Sequence, residues 1–389
     1  MKKTLLAAAL IAGFAGVAQA ETSVTLYGIL DGGIGYNKVS GNDSRTATPG
    51  ASIDGKRVGI IQHMQAGNRW GLKGSEDLGN GLRAVFQLES GFNLTNGTSA
   101  QGGRLFGRQA TVGLAGDSWG QLDLGRQTNI ASKYFGSIDP FGTAYDQANI
   151  GVAFTAANTT RYDNMVMYQS PSFSGFQFGV GYSFDASGDQ AYDRELPSGY
   201  NTKDANQKAV TTGLRYANGP VNVALTYDQV KAGAASLTAD NVTIKSWALG
   251  GVYDFEVVKA HLAFGQTRNG LFSAQSFGDQ GGAIGPAGSA IGSLTGARGL
   301  KVNSYMAGVS APIGNGTLMA SWTMADPRTA PDAAVVGSEW DKQQTYSLGY
   351  SYGLSKRTSV YAIGSYAKHI HFLPDAKSTL VGVGVNHRF

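Results

Sequence analysis

The residues able to make or break bonds are few and scattered. The chain of 389 residues holds five His and no Cys. Without Cys there are no disulfide staples, no thiol nucleophile and no Cys-based zinc site. His369 and His371 stand two apart, a spacing that puts both on one face of a strand. A metal pair is one use of that spacing, but a pair beside an exposed loop is more often incidental. No HExxH, Walker loop or GxSxG occurs. Gly179-Val-Gly181 and Gly382-Val-Gly384 lack the rest of a dinucleotide fingerprint and read as strand glycines. Asp and Glu crowd the polar stretches, where they suit weak binding of divalent cations, yet no two form an evident acid–base pair. No catalytic residue, metal or cofactor is expected. What remains are isolated Arg, Lys and Glu side chains, whose chemistry is fixed charge.

Those charges sit on segments of alternating character. Val381, Val383, Val385 and Phe389 share one parity, with Gly382, Gly384, Asn386 and Arg388 on the other. Successive side chains of a strand point to opposite faces, so one face is oily and one small or polar. Gln344, Tyr346, Leu348, Tyr350 and Tyr352 alternate in the same way with Gln343, Thr345, Ser347, Gly349 and Ser351. Leu82, Ala84, Phe86 and Leu88 oppose Arg83, Val85, Gln87 and Glu89, and Trp70 and Leu72 oppose Arg69, Gly71 and Lys73. No sustained segment carries the 3.6-residue period of a helix.

Seven short turn signals divide the strands: 77–81, 116–120, 171–175, 216–220, 253–256, 312–316 and 353–356. Longer polar stretches lie between them, at about 37–67, 94–104, 128–159, 187–207, 232–241, 269–299, 327–341 and 369–377. Seven turns alternating with eight long loops predict sixteen antiparallel strands whose first and last members close a ring.

Composition says what the oily faces meet. Charged residues make up 15%, against about 25% in an ordinary soluble domain, and 56 residues are Gly. A soluble sandwich or propeller would carry dense charge outside and large apolar groups inside. Here the polar face is Gly, Ser and Gln, which suits an aqueous lumen, and the apolar face is Tyr, Trp, Phe, Leu and Val, which suits lipid. In hydrocarbon every backbone polar group must be paired internally, which a closed sheet achieves. A sixteen-strand cylinder is too wide for side chains to fill, so it should hold water.

Residues 1–20 (MKKTLLAAALIAGFAGVAQA) have a Lys2-Lys3 start, a short apolar run and an Ala18-Gln19-Ala20 cleavage site, the marks of an export signal peptide. Loss of Lys2 and Lys3 from 31 basic residues leaves 29 against 27 acidic. That near balance argues against a nucleic-acid partner. No linker or composition break divides residues 21–389, which are expected to form one β-barrel domain.

Several segments resemble the general trimeric porins of Gram-negative outer membranes, especially the beta-proteobacterial type. They are Ser23-Val-Thr-Leu-Tyr-Gly-Ile-Leu-Asp31, Trp70-Gly-Leu-Lys-Gly-Ser-Glu-Asp-Leu-Gly79, Leu105-Phe-Gly-Arg-Gln-Ala-Thr-Val-Gly-Leu114, Leu124-Gly-Arg-Gln127, Asp139-Pro-Phe-Gly142 and the closing Gly-Val-Asn-His-Arg-Phe389. The resemblance implies an all-β, sixteen-stranded transmembrane barrel in the outer membrane. It implies a homotrimer, in contact with lipid and lipopolysaccharide, through which small hydrophilic solutes and ions diffuse. It also implies that residues 128–159 fold inward as the third external loop. The apolar groups of that stretch, among them Tyr134, Phe135, Ile138, Phe141 and Phe154, are ones a freely solvated loop would not need. The terminal Phe389 resembles the signal read by barrel assembly machinery.

By the same resemblance Arg69, Arg108 and Arg161 form the basic wall of the constriction, with Glu89 beside them. Asp139 and Asp146 are the candidate acids of the facing loop. The family usually has Pro-Glu-Phe-Gly where this chain has Asp139-Pro140-Phe141-Gly142. Arginines on one wall and carboxylates on the other orient a passing dipole and bias ion entry; guanidinium charge is permanent. The balance predicts a mild anion preference. Lys73 and Arg83 are expected on the lumen wall nearer the short turns. Arg126 shares the parity of Leu122 and Leu124, which points it outward, and the resemblance puts its strand at a subunit contact. The alternatives are a solute-specific channel or an outer-membrane barrel enzyme; the latter would need a His with a Ser or acid, which the scattered His do not supply.

Overall fold

The computed structural model describes residues 23–43, 51–231, 242–273, 275, 277, 294, 296–332, 334 and 339–389. The expected leader at 1–20 and the stretch at 232–241 lie outside the described residues.

Sixteen strands form one antiparallel ring. They are β1 (Ser23–Ser40), β2 in two segments (Gly55–Gln62 and Arg69–Gly79), β3 (Leu82–Gly91), β4 (Gln109–Gly116), β5 (Gly120–Thr128), β6 (Arg161–Gln169), β7 (Phe176–Ser183) and β8 (Lys208–Asn218), followed by β9 (Val221–Lys231), β10 (Thr243–Asp254), β11 (Lys259–Arg268), β12 (Lys301–Ile313), β13 (Gly316–Thr329), β14 (Gln343–Gly353), β15 (Thr358–Lys368) and β16 (Lys377–Arg388). Each strand pairs with its neighbour in sequence. β1 closes the ring on β16 in register from Ile29↔Arg388 to Ser40↔Lys377. Beyond that register, the amide N–H of Gly28 and of Phe389 each donates to the other's carbonyl at 3.1 Å. All seven short turns fall between strands as expected.

One expectation needs correction. Residues 37–67 are not a single loop. β1 continues to Ser40, and β2 starts at Gly55 and breaks at 63–68. Polar and Gly-rich composition hides strands whose outward positions are few, here Val58 and Ile60, both exposed.

Side-chain parity is that of a membrane cylinder. Val381, Val383 and Val385 are 52%, 59% and 47% exposed, as are outward residues around the ring such as Leu26, Ile34, Val112, Leu124, Leu225 and Leu348. The residues between them point in and are buried: Asp31, Asp123, Thr211, Thr226, Ser246, Ser347, Ser365 and Asn386. Water would not tolerate an apolar band of this extent, whereas hydrocarbon requires it. Aromatic pairs mark the short-turn end, with Phe176–Tyr216 and Tyr253–Phe255 ring centroids 4.6 Å apart. Exposed Tyr182, Phe184, Tyr346 and Tyr366 lie toward the long loops. Such girdles sit where headgroups meet tails.

Candidate functional site: the lumen constriction

The lumen is narrowed by residues 129–160, which run along the inner wall. Asn129 begins the segment as the N-cap of a short α-helix, α1 (Ile130–Phe135), its side chain accepting from Ser132 N. Its Nδ2 donates to Asp228 Oδ1 at 2.7 Å, and Ile130 N donates to Thr211 Oγ1 at 2.9 Å. Further on, His261 Nδ1–H donates to Ile138 O at 2.8 Å. Gln147 Nε2 donates to Ser365 O at 3.1 Å, and its Oε1 accepts from Ser378 Oγ at 2.6 Å. Gln343 Nε2 reaches Val152 O, and Ser304 Oγ reaches Ala153 O. These partners belong to β8, β9, β11, β12, β14, β15 and β16, so the segment is stitched around most of the wall.

Glycines make room for it. A Cβ on Gly179 would stand 2.5 Å from Ile130 Cδ1. On Gly250 it would stand 2.7 Å from Ile138 Cγ2, and on Gly308 2.5 Å from Pro140 Cγ. Gly213, Gly265 and Gly349 face Ile130, Phe154 and Phe141 in the same way. The apolar groups of the loop therefore seat on bare backbone and bury almost completely: Ile130, Phe135, Ile138 and Ile150 are each 0% exposed. The seating accounts for these six wall glycines and for the apolar composition of the loop.

The free space lies between this loop and the wall of β1 to β6. A cavity of about 1070 Å³ is lined by Arg57, Arg69, Arg108, Arg161 and Arg388, with Asp146 the one carboxylate on its lining among the described residues. Glu89 lies behind them, 6% exposed. Its Oε1 is 2.7 Å from Arg108 Nε and 3.9 Å from Arg69 Nη1, and Oε2 accepts from Tyr27 Oη at 2.9 Å. Arg69 Nε donates to Gly67 O at 2.9 Å, and Arg161 Nη1 to Thr159 O at 3.1 Å. Arg161 Nε is buried with no protein acceptor. Five guanidinium groups line the gap with Asp146, and Glu89 sits behind two of them. The arrangement can hold and orient anions; it offers no nucleophile with a base.

A second cavity of about 330 Å³ lies toward the short-turn side, lined by Lys73, Asp123, Gln127 and Lys133 among others. Lys73 Nζ sits 5.6 Å from the centre of the Tyr27 ring. Lys133, on α1, reaches Gln127 Oε1 at 3.4 Å. Burial holds its ammonium below the usual lysine range, against the pull of Asp123.

Comparison with known proteins agrees with this geometry. The model of the Gram-negative porin family matches residues 7–369. The chain belongs to the Gram-negative porin family. An outer membrane porin protein of Bordetella pertussis is 57% identical, aligned over the whole of both chains. Outer membrane porin protein 32 of Delftia acidovorans is 31% identical, again over the whole of both. Among solved structures, an anion-selective porin from Comamonas acidovorans superposes with a TM-score of 0.67 at 27% identity, covering 95% of this chain and all of that one. The trimer form of OmpT from Vibrio cholerae shares the fold, with a TM-score of 0.58 at 12% identity over 95% of this chain and 99% of that one. The protein is thus an outer-membrane porin, a water-filled channel through which ions and small hydrophilic solutes pass passively.

The structure brings Arg69, Arg108, Arg161, Glu89 and Asp146 of the porin together at one level of the lumen, and separates the rest. Asp139 does not reach the channel. Its carboxylate turns into the loop and accepts from Phe141 N, Thr143 N and Ile150 N at 3.0, 2.9 and 2.9 Å. An acid placed before Pro140 is in reach of the amides that follow the turn. Arg126 pairs within its own chain. Its Nη1 is 2.5 Å from Asp163 Oδ1, which also faces Arg104, and its Nε donates to Gly107 O. An irregularity between Gly125 and Gln127 interrupts pairing with β6 there and brings Asp163 within reach. Arg83 sits at the short-turn rim, 2.8 Å from Asp117. His369 Nδ1 lies beside Lys342 O, while the His371 ring packs edge-on against Phe277; the two imidazoles do not converge.

Four lumen groups escape sequence reasoning: Arg57, Arg388, Lys133 and Asp31. Arg388 was legible, since it shares the inward parity of Gly382, Gly384 and Asn386. Arg57 was hidden inside a stretch that reads as loop, and Lys133 on a helix too short to show a period.

Proposed function

We propose that this porin is a general diffusion channel with a preference for anions, set where residues 129–160 face Arg69, Arg108 and Arg161. The observation that carries the reading is the lining of the upper cavity, five arginines with Asp146 alone among carboxylates. Such a ring of one sign favours the counter-ion and repels the co-ion. The anion-selective Comamonas porin lends it support. Glu89 moderates the field by pairing with two of the arginines, and Asp146 is the loop's contribution to it. Lys73 and Lys133 extend the positive wall toward the exit.

The functional unit is a homotrimer, a reading supported by the trimeric OmpT form. The chain is exported with residues 1–20 as its leader and matures to a single barrel from residue 21. Phe389 serves as the assembly signal for barrel insertion, and the outward face meets lipid and lipopolysaccharide.

Reversal potentials in planar bilayers under a salt gradient test the selectivity. The native channel should reverse toward the anion equilibrium potential. The double variant Arg69→Gln, Arg108→Gln should shift toward cations. A native channel that is cation-selective, or a double variant with unchanged potential, overturns the assignment. Liposome swelling with solutes of graded size tests the general character: a smooth cutoff is expected, and uptake of a single solute class would contradict it.

A further inference from the structure

The interruption of β2 is a built feature. β1 pairs with both halves of β2. Gly32 stands opposite Gln62, and Ile29 opposite Arg69. Three steps along β1 thus match seven along β2, an excess of four residues. Because four is even, the inward and outward parity of β2 is the same on both sides of the break.

The excess goes inward. Met64 is 0% exposed and packs on the lumen faces of β1 and β16: a Cβ on Gly33 would stand 2.6 Å from its Cε, and one on Gly382 2.5 Å from its Sδ. It joins Ile61, Phe141, Tyr145, Tyr361, Ile363 and Leu380 in an apolar cluster inside the channel. The Gln65 carbonyl accepts from Tyr145 N at 3.4 Å, so the excursion touches the long loop. The Gly67 carbonyl holds Arg69 Nε, and a Cβ on Gly67 would meet Arg108 Nη1 at 2.9 Å.

One wall residue ties this segment down. Asp31 is fully buried. Its Oδ1 accepts from Gln65 N at 3.2 Å and from Tyr361 Oη at 3.1 Å, and its Oδ2 accepts from Asn386 Nδ2 at 3.2 Å. Its own amide donates to Asn68 Oδ1. A single carboxylate on β1 therefore links the excursion to β15 and β16.

We propose that residues 63–68 are a second constriction element, a jaw that meets the long loop inside the lumen and orients Arg69, and that Asp31 is the positioning residue that holds it there. The inference rests on the constriction described above and adds a part to it. Narrowing then comes from two sides: the loop covers the wall of β7 to β16, and the jaw projects from β2 beside the arginines. Asp31 acts through the jaw and does not touch the permeating solute.

The register supplies the test. Deletion of Gln65–Asn68 removes the excess and makes β2 continuous. His63 then faces Asp31 on the lumen side and Met64 faces Leu30 on the lipid side, so the strand keeps its alternation. The deleted porin should fold, as judged by β-sheet circular dichroism and heat-modifiable migration. Its single-channel conductance should rise at least about 1.5-fold and its solute cutoff widen, with the reversal potential moving toward cations as Arg69 loses its tether. Asp31→Ala in the full-length chain should reproduce the conductance rise. Combined with the deletion it should add nothing, because both act through one element. A folded deletion variant with native conductance and cutoff overturns the jaw. An Asp31→Ala effect that adds to that of the deletion overturns the positioning role. The Arg69→Gln, Arg108→Gln pair separates the two readings. If that pair shifts selectivity while the deletion changes nothing, the jaw fails and the basic constriction stands; if the pair leaves selectivity unchanged, the constriction itself fails.

Discussion

Asp139 illustrates how one position decides between field and framework. The family resemblance offers its carboxylate to the arginines across the lumen. Here it satisfies three backbone N–H groups inside the loop, and burial pushes its pKa up to about 6. The folded value lies above that of an unfolded carboxyl, so the folded state takes up a proton first. The stability contribution is present in full below the unfolded value and is lost as pH rises through about 6. The loop should accordingly be held more firmly near pH 4 than near pH 7, by an amount on the order of 2 kcal/mol. Limited proteolysis of residues 129–160 at the two pH values measures it, and Asp139→Asn should flatten the dependence. A loop cleaved at the same rate at both pH values contradicts this account. The sequence offers Asp139, by resemblance, as the first candidate acid of the loop and Asp146 as the second. The difference between them is backbone geometry over a few residues, which types and spacing do not encode.

At the scale of elements, the long loop was legible and the break in β2 was not. The loop announced itself by apolar side chains in a stretch without alternation, and those groups are the ones that seat on Gly179, Gly213, Gly250 and Gly308. Residues 63–68 carried no such mark. They lie among polar and Gly-rich neighbours that read as one loop, and the four-residue excess exists only relative to β1. Pairing register is a property of two segments together, so one segment cannot reveal it. The seating makes its own prediction. Gly179→Val and Gly308→Val together leave the outer face untouched but put methyl groups where Ile130 and Pro140 sit. Overpacking of this kind costs about 1–3 kcal/mol per site. The barrel should still form, whereas the loop should become sensitive to protease and single-channel current noisier. A quiet, protease-resistant double variant would show that the loop has another route along the wall.

The molecule as a whole was the most legible level, because one alternation repeated around sixteen strands is a strong signal even when each strand is a weak one. Val381, Val383 and Val385 show the oily face outward and exposed, with Asn386 of the opposite parity buried in the lumen. Val383→Arg places a charge on that outward face. It should lower barrel stability by about 2–4 kcal/mol if it lies near the bilayer midplane, read as a reduced folded fraction on refolding into vesicles. Gln87→Arg, which puts the same charge on the inward parity beside the second cavity, should leave that fraction nearly unchanged. Equal losses for both would contradict the assignment of faces.

The seam between β1 and β16 carries a consequence for biogenesis. It joins the beginning of the ring to its very end, down to the mutual amide exchange of Gly28 and Phe389. A chain cut before Lys377 would possess one lip of the seam and lack the other. The orphaned amides of β1 would then face hydrocarbon with no substitute for water. Closure thus requires both lips of the seam in one chain, and the hydrocarbon itself tells a sealed seam from an open one.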